Sequence, residues 1–157
     1  MTDAPHDLPH RLPHYTEYDT RLGAYAVIRD EEGRLLLALW NEPDHAQWTL
    51  PGGGVELPET VEEGAVREVR EETGYDVRLD RLLAVDSHVV PAERRLHGGP
   101  PGRALKSVRV LFAATVVGGT LTAEVDGSTD EARWFPVEEV PGLQHVSLVD
   151  VALRHLG

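Results

Sequence analysis

The chain has no cysteine, one lysine, one methionine and two phenylalanines among its 157 residues. Without cysteine there are no disulfide scaffolds, thiolate zinc sites, iron–sulfur clusters or cysteine nucleophiles. No stretch approaches the ~20 consecutive apolar residues of a membrane helix, and the first nineteen residues hold no apolar run long enough for a signal peptide. A cytoplasmic protein without membrane attachment is therefore expected. Positive charge is also scarce, with 27 acids against 15 bases and a formal charge of −12. Phosphate affinity rests on Lys and Arg, so the imbalance argues against a binder of long nucleic acid or of anionic membranes. A small anionic substrate remains compatible if a metal or a local basic strip offsets the field. The length suits a single domain, which buries roughly two-thirds of its unfolded surface and needs no covalent staple.

Residues 1–19 stand apart as a flexible His/Pro-rich arm, carrying Pro5-His6, Pro9-His10 and Pro13-His14. Histidines four apart would share a helix face, but the prolines break such a helix. In polyproline II they point away from one another and cannot chelate. Residues 20–157 read as one globular domain. Leu22–Arg29 and Arg34–Trp40 are apolar runs around Asp30–Gly33, predicting a β-hairpin. Further strands are predicted at Trp48–Leu50, Val77–Val90, Leu105–Val117 and Ala132–Phe135, with Gly118-Gly119 turning into another at Thr120–Val125. Trp48 is expected to pack against the glycines that follow it. Pro91–Ala104, with three prolines and three glycines, reads as a long loop. One helix starts at the Thr60/Glu63 capping box and stops at Gly74; another starts at Ser147. This order predicts a mixed α/β sheet with helices on its faces.

The chemistry concentrates between Gly53 and Tyr75. Glu68, Glu71 and Glu72 stand at i, i+3 and i+4, within about 100° of arc on one helix face. Like charges this close disfavour one another's ionisation. A helix tolerates them on a solvated face, or with a hard cation among them. All-oxygen ligands suit Mg²⁺, with Mn²⁺ as an alternative. Pro51-Gly52-Gly53-Gly54 can bring bare backbone up to a metal or phosphate. Three glutamates alone would read as a solvated face, but the spacing is more specific. Gly53, Glu59, Arg67-Glu68, Glu71-Glu72 and Gly74, with apolar residues at Val69 and Tyr75, match every fixed position of the Nudix box. At this composition such a match arises by chance on the order of once in a million chains.

The sequence therefore resembles the Nudix, or MutT-like, hydrolases over roughly residues 21–156. The resemblance implies a Nudix α/β/α sandwich and metal-dependent hydrolysis of a nucleoside diphosphate linked to another moiety. It also implies that Gly52, through its carbonyl, and Glu68, Glu71 and Glu72 hold the metal. Arg67 would orient the glutamates, with Gly53 and Glu59 supporting them. Either Glu71 or Glu72, or an acid from a distant loop, would take the proton from water. Glu131 stands where such an acid is expected, with Asp130, Asp126 and Glu124 nearby. Homodimers are common in the family, so a homodimer is compatible.

The substrate is less constrained. Glu56–Glu72 holds seven glutamates and two arginines, whereas Pro91–Arg109 holds four arginines and one lysine against one glutamate. A basic loop facing an acidic helix would suit a phosphate-rich substrate held at both ends, with Arg94, Arg95 and Arg103 as candidate contacts. Pro91 lies sixteen residues after Tyr75, an offset associated in the family with ADP-ribose pyrophosphatases, though without the usual flanking residues. ADP-ribose or a nucleotide sugar is thus a narrower alternative. A catalytically silent nucleotide sensor is an alternative of a different class.

Overall fold

The apolar run Ala24–Ile28 is buried on both faces, which places it inside a layered structure rather than on a half-solvated sheet. The computed structural model describes residues 11–41, 45–95, 99–124, 127 and 129–156. The strands are β1 (Asp19–Ile28), β2 (Leu35–Trp40), β3 (Gln47–Thr49), β4 (Gly52–Gly54), β5 (Tyr75–Val90), β6 (Leu105–Gly119) and β7 (Thr129–Phe135). The helices are α1 (Val61–Thr73) and α2 (Ser147–Leu153). One sheet has the order β4-β1-β6-β5 and a second has the order β3-β2-β7. Among the described strands only β1 and β6 pair with each other in parallel, so the first sheet is mixed, as predicted.

Strand periodicity divides the core in two. Tyr25 and Val27 of β1, with Leu35 and Leu37 of β2, pack with Leu111, Phe135 and the α2 residues Leu148, Val149, Val151 and Ala152. Their alternates Ala26, Ile28 and Leu36 pack with Val69 of α1, Val77 and Ala114, and Ala24 meets Ala65 of α1. Each fully buried Leu contributes roughly 1.5–3 kcal/mol. The helices thus cover opposite faces, and the α/β/α layering expected of the sequence is present.

Several local expectations are corrected. The two apolar runs flanking Asp30–Gly33 do not form a hairpin. The turn exists, with Asp30 accepting from the Glu32 and Arg34 amides, but only an Arg29–Leu35 bridge joins the runs before they enter different sheets. β1 pairs on its two edges with β4 and β6, and β2 with β3 and β7, so neither has an edge left for the other. Gly118-Gly119 do not turn into a strand. β6 already has β1 and β5 on its two edges, and Thr120–Glu124 is irregular backbone tied to α1 by the Thr122 amide on the Thr73 carbonyl. Trp48 packs edge-on against Phe135, ring centroids 4.7 Å apart, with Arg133 over its ring. The glycine run is itself a strand, β4, and Pro91–Ala104 contains a short 3₁₀ turn at Ala92–Arg94.

The first two Pro-His pairs lie outside the described residues. The third sits in an exposed turn closed by the Glu17 amide on the His14 carbonyl. Among the described residues no helix is long and apolar enough to cross a membrane.

Candidate functional site

α1 is bounded by local chemistry. Thr60 Oγ1 accepts from the Glu63 amide at 3.1 Å, and Gly74 closes the helix in the left-handed region, φ 80°, where a Cβ would stand 2.2 Å from the Thr120 carbonyl oxygen. These caps set the ends of the helix, and its apolar stripe sets its rotation. Ala65 and Val69 then face the sheet, and Glu68 and Glu72 face β4.

Glu72 is almost completely buried, at 4% exposure, and its Oε2 accepts from the Gly52 amide at 3.1 Å. Burial pushes its carboxyl well above the usual range. The Gly52 amide opposes that shift, while the charges of Glu68, Glu124 and Glu71 add to it. Glu68 is raised too, first by burial, with Arg67 pulling against it and Glu71 and Glu124 adding to the rise. Its carboxylate lies against Gly53, where a Cβ would come within 2.7 Å of Cδ. The backbone of Gly52, at φ 148°, runs so close to β1 that a Cβ would stand 2.3 Å from the Ala24 carbonyl oxygen. The glycines are thus needed for close approach of strand, helix and carboxylates.

Arg67 ties the group together. Nε and Nη2 fork onto Glu59 at 3.0 and 2.6 Å, Nη2 also reaches the Gly54 carbonyl at 3.0 Å, and Nη1 donates to Glu68 at 3.0 Å and Glu71 at 3.2 Å. The Arg67 fork and the Glu56 amide hold the Glu59 carboxyl at about 2, and the arginine's own pKa is raised in return. The small Gly64 makes room for Glu59, whose Oε1 would lie 3.0 Å from a Cβ there.

Glu131 lies on β7, and Arg133 Nη2 donates to both its carboxylate oxygens. From that segment, Glu124 is the described acid whose charge acts on Glu68 and Glu72; it accepts from the Thr129 amide and hydroxyl at 3.2 and 2.7 Å. Its part in the site was visible in sequence only as one of several neighbouring acids.

The acidic cluster opens into a cavity of about 860 Å³ lined by Gly52–Gly54, Glu68 and Glu72 and, from other elements, Arg21, Tyr25, Trp40, His88, Arg94, Arg95 and Arg109. The loop after β5 therefore brings two of its arginines to the space that the acidic helix faces. Arg94 has no side-chain partner among the described residues. Arg95 is committed to Asp19, at 2.6 Å, and to the Arg103 carbonyl, while its buried Nε has no partner among the described residues. Arg103 does not line the cavity. It donates to Asp19 and to the Thr16 carbonyl, so it anchors the start of β1.

By donor type these residues fit a hard divalent cation: the groups are oxygens, and the charges of Glu71 and Glu124 bear on both Glu68 and Glu72, with Arg67 opposing them at Glu68. Among the described residues no three acids or histidines already form a closed cage. Glu71 is half-exposed and accepts from Arg67 Nη1, the nitrogen that also holds Glu68.

Residues 19–153 match the family model described as the NUDIX domain. An ADP-ribose pyrophosphatase of Methanocaldococcus jannaschii is 36% identical over 117 residues, 74% of this chain and 62% of that protein. Across the first three curated relatives the chain spans between 32% and 62% of their lengths. A MutT NUDIX hydrolase of Burkholderia pseudomallei superposes with a TM-score of 0.67 at 27% identity, covering 88% of this chain and 99% of that one. A NUDIX hydrolase of Nitrosomonas europaea gives 0.73 at 20% identity, covering 87% and 88%, which shows the shared fold.

Proposed function

The chain belongs to the Nudix family, and on that premise we propose that it is a divalent-cation-dependent pyrophosphohydrolase acting on a nucleoside diphosphate linked to another moiety. The observation that carries this reading is the shared cavity. Glu68, Glu72 and the bare Gly52–Gly54 strand line one part of it, and Arg21, Arg94, Arg95 and Arg109 line another. A pyrophosphate is anionic and resists attack by water, so an active site must both offset its charge and activate the water.

Glu68, Glu71 and Glu72, with the Gly52 carbonyl, would hold Mg²⁺ or Mn²⁺. The bound cation would neutralise phosphoryl oxygens and acidify water. The protein's own part is positional. Arg67 sets Glu68 and Glu71 through one nitrogen, and Glu59 holds Arg67 by a two-point fork that lysine cannot reproduce. Gly53 lets the Glu68 carboxylate lie flat on β4. The proton leaving the attacking water passes to a carboxylate beside Glu72, either Glu71 or Glu124, and replacing each by Gln separates the two.

The named relatives include an ADP-ribose pyrophosphatase, and Pro91 begins the turn that delivers Arg94 and Arg95 to the cavity. ADP-ribose therefore belongs in the panel that tests the proposal, with dNTPs, oxidised purine nucleotides, dinucleoside polyphosphates, NADH and nucleotide sugars. Phosphate release is read after a coupled phosphatase. Turnover of one class with Mg²⁺, lost in Glu72→Gln, supports the reading. Silence of the folded wild type across the panel, with nucleotide binding retained, favours a sensor.

A further inference from the structure

The cavity lies over one face of the four-stranded sheet, and the strand register identifies the side chains that form its floor. Arg21 on β1 stands opposite Ser107 on β6, which stands opposite His88 on β5, and all three line the cavity. At about 4.8 Å between strands, this transverse row is about 10 Å wide. The next row is Gly23, Arg109 and Asp86, in which Arg109 is consumed by an ion pair with Asp86.

Arg21 is held differently. Gly23 has no side chain, and the Tyr25 ring lies back over it, with Cε2 2.8 Å from where a Cβ would be. That brings the Tyr25 hydroxyl to 3.4 Å from Arg21 Nη1. On its other side the guanidinium lies over Gly54, with Nη2 3.4 Å from the missing Cβ. Gly54 directly follows the glycine that packs against Glu68. The guanidinium is therefore placed by a phenol and bare backbone. Among the described residues it has no carboxylate partner, whereas Arg95, Arg103 and Arg109 each have one. An oriented, uncompensated cation facing a cavity is a site for an anion.

We propose that the row Arg21–Ser107–His88 receives a phosphate group of the substrate other than the one at the Glu68–Glu72 end. The chain would then prefer nucleotide derivatives with a phosphate at that distance over those ending in a neutral sugar. The planar guanidinium takes two phosphoryl oxygens, and the Ser107 hydroxyl and a His88 ring N–H donate to their neighbours. The preference in turnover rests on the hydrolase reading above, but the binding does not.

Inorganic tripolyphosphate is the probe, titrated calorimetrically in EDTA into the full chain. The wild type is expected to bind, Arg21→Gln to bind at least tenfold more weakly, and Arg21→Lys to fall between, because it keeps the charge and loses the fork. Ser107→Ala leaves Arg21 in place and is expected to weaken binding about threefold. Arg78→Gln, at an exposed pair with Asp80 outside the cavity, is expected to change nothing. Thermal unfolding of each variant accompanies the titrations. No binding by the wild type, or equal affinity in Arg21→Gln and Ser107→Ala, overturns the proposal. Arg21-dependent binding beside a silent substrate panel removes only the hydrolase reading; hydrolysis beside Arg21-independent binding removes only the phosphate row.

Discussion

Exchanging adjacent glycines for alanine separates the part of the site that is fold from the part that is chemistry. A Cβ on Gly53 would stand 2.7 Å from Cδ of Glu68 and 2.8–2.9 Å from its two oxygens. Ordinary contact begins at 3.4 Å, so the carboxylate must retreat by about 0.7 Å. The far end of a side chain can do this, and the Gly53 φ is not left-handed, so Gly53→Ala is expected to keep its stability within ~1 kcal/mol. A displacement approaching 1 Å in a catalytic group costs on the order of 10–100-fold in kcat. At Gly52 the obstruction is backbone, 2.3 Å from the Ala24 carbonyl oxygen and 2.6 Å from the Tyr25 Cα, at φ 148°. Strain and overpacking together make Gly52→Ala cost about 3 kcal/mol or more, a Tm loss of roughly 6 °C or more at this size. Thermal unfolding and hydrolysis of the best panel substrate are measured on both variants. Wild-type kcat in Gly53→Ala, or a Tm loss there equal to that of Gly52→Ala, would refute the reasoning.

Three further outcomes follow from named contacts. Arg67→Lys keeps the charge but not the fork onto Glu59, so kcat is expected to fall at least tenfold with its pH optimum unchanged; wild-type kcat would contradict the positioning role. The Asp19 carboxyl is held below 3.8 by hydrogen bonds from Arg95 and then Arg103. Its contribution to stability is present above pH ~3.9 and lost as pH falls through the lower folded value, so Asp19→Asn should flatten the acid limb of Tm against pH. Burial alone would lower the His145 pKa, but Asp150 and the Leu143 carbonyl outweigh it and raise it above 6.5. That stabilisation is full below pH ~6.5 and lost as pH rises through the folded value; a Tm profile unchanged by Asp150→Asn across that window would contradict it.

What could be read from the sequence was local. Thr60 and Gly74 bound α1 through contacts within a few residues, and helical periodicity alone aligns Glu68, Glu71 and Glu72. The apolar runs of β1 and β2 reported burial on both faces, but β6 and β7, distant in sequence, each take one of their edges, which is why a short turn suggested a hairpin that does not form. β4 consists of three glycines with no side chains to show a period, so it was recognisable as a site of close approach and not as a strand. Arg95 and Arg103 resembled free cations of a loop because Asp19 lies 76 and 84 residues away. Glu124 reaches the carboxylate cluster through an irregular segment whose path no periodicity encodes.

The central claim is that carboxylates on α1, against the glycines of β4, hold a divalent cation that the reaction requires. Its most direct test titrates Mn²⁺ into the wild type and Glu72→Gln, following binding by calorimetry and hydrolysis of the best panel substrate in the same samples, with thermal unfolding as the control for folding. The account predicts that binding and turnover rise together in the wild type and that both are lost in a folded Glu72→Gln. Undiminished Mn²⁺ binding and turnover in that variant would contradict it.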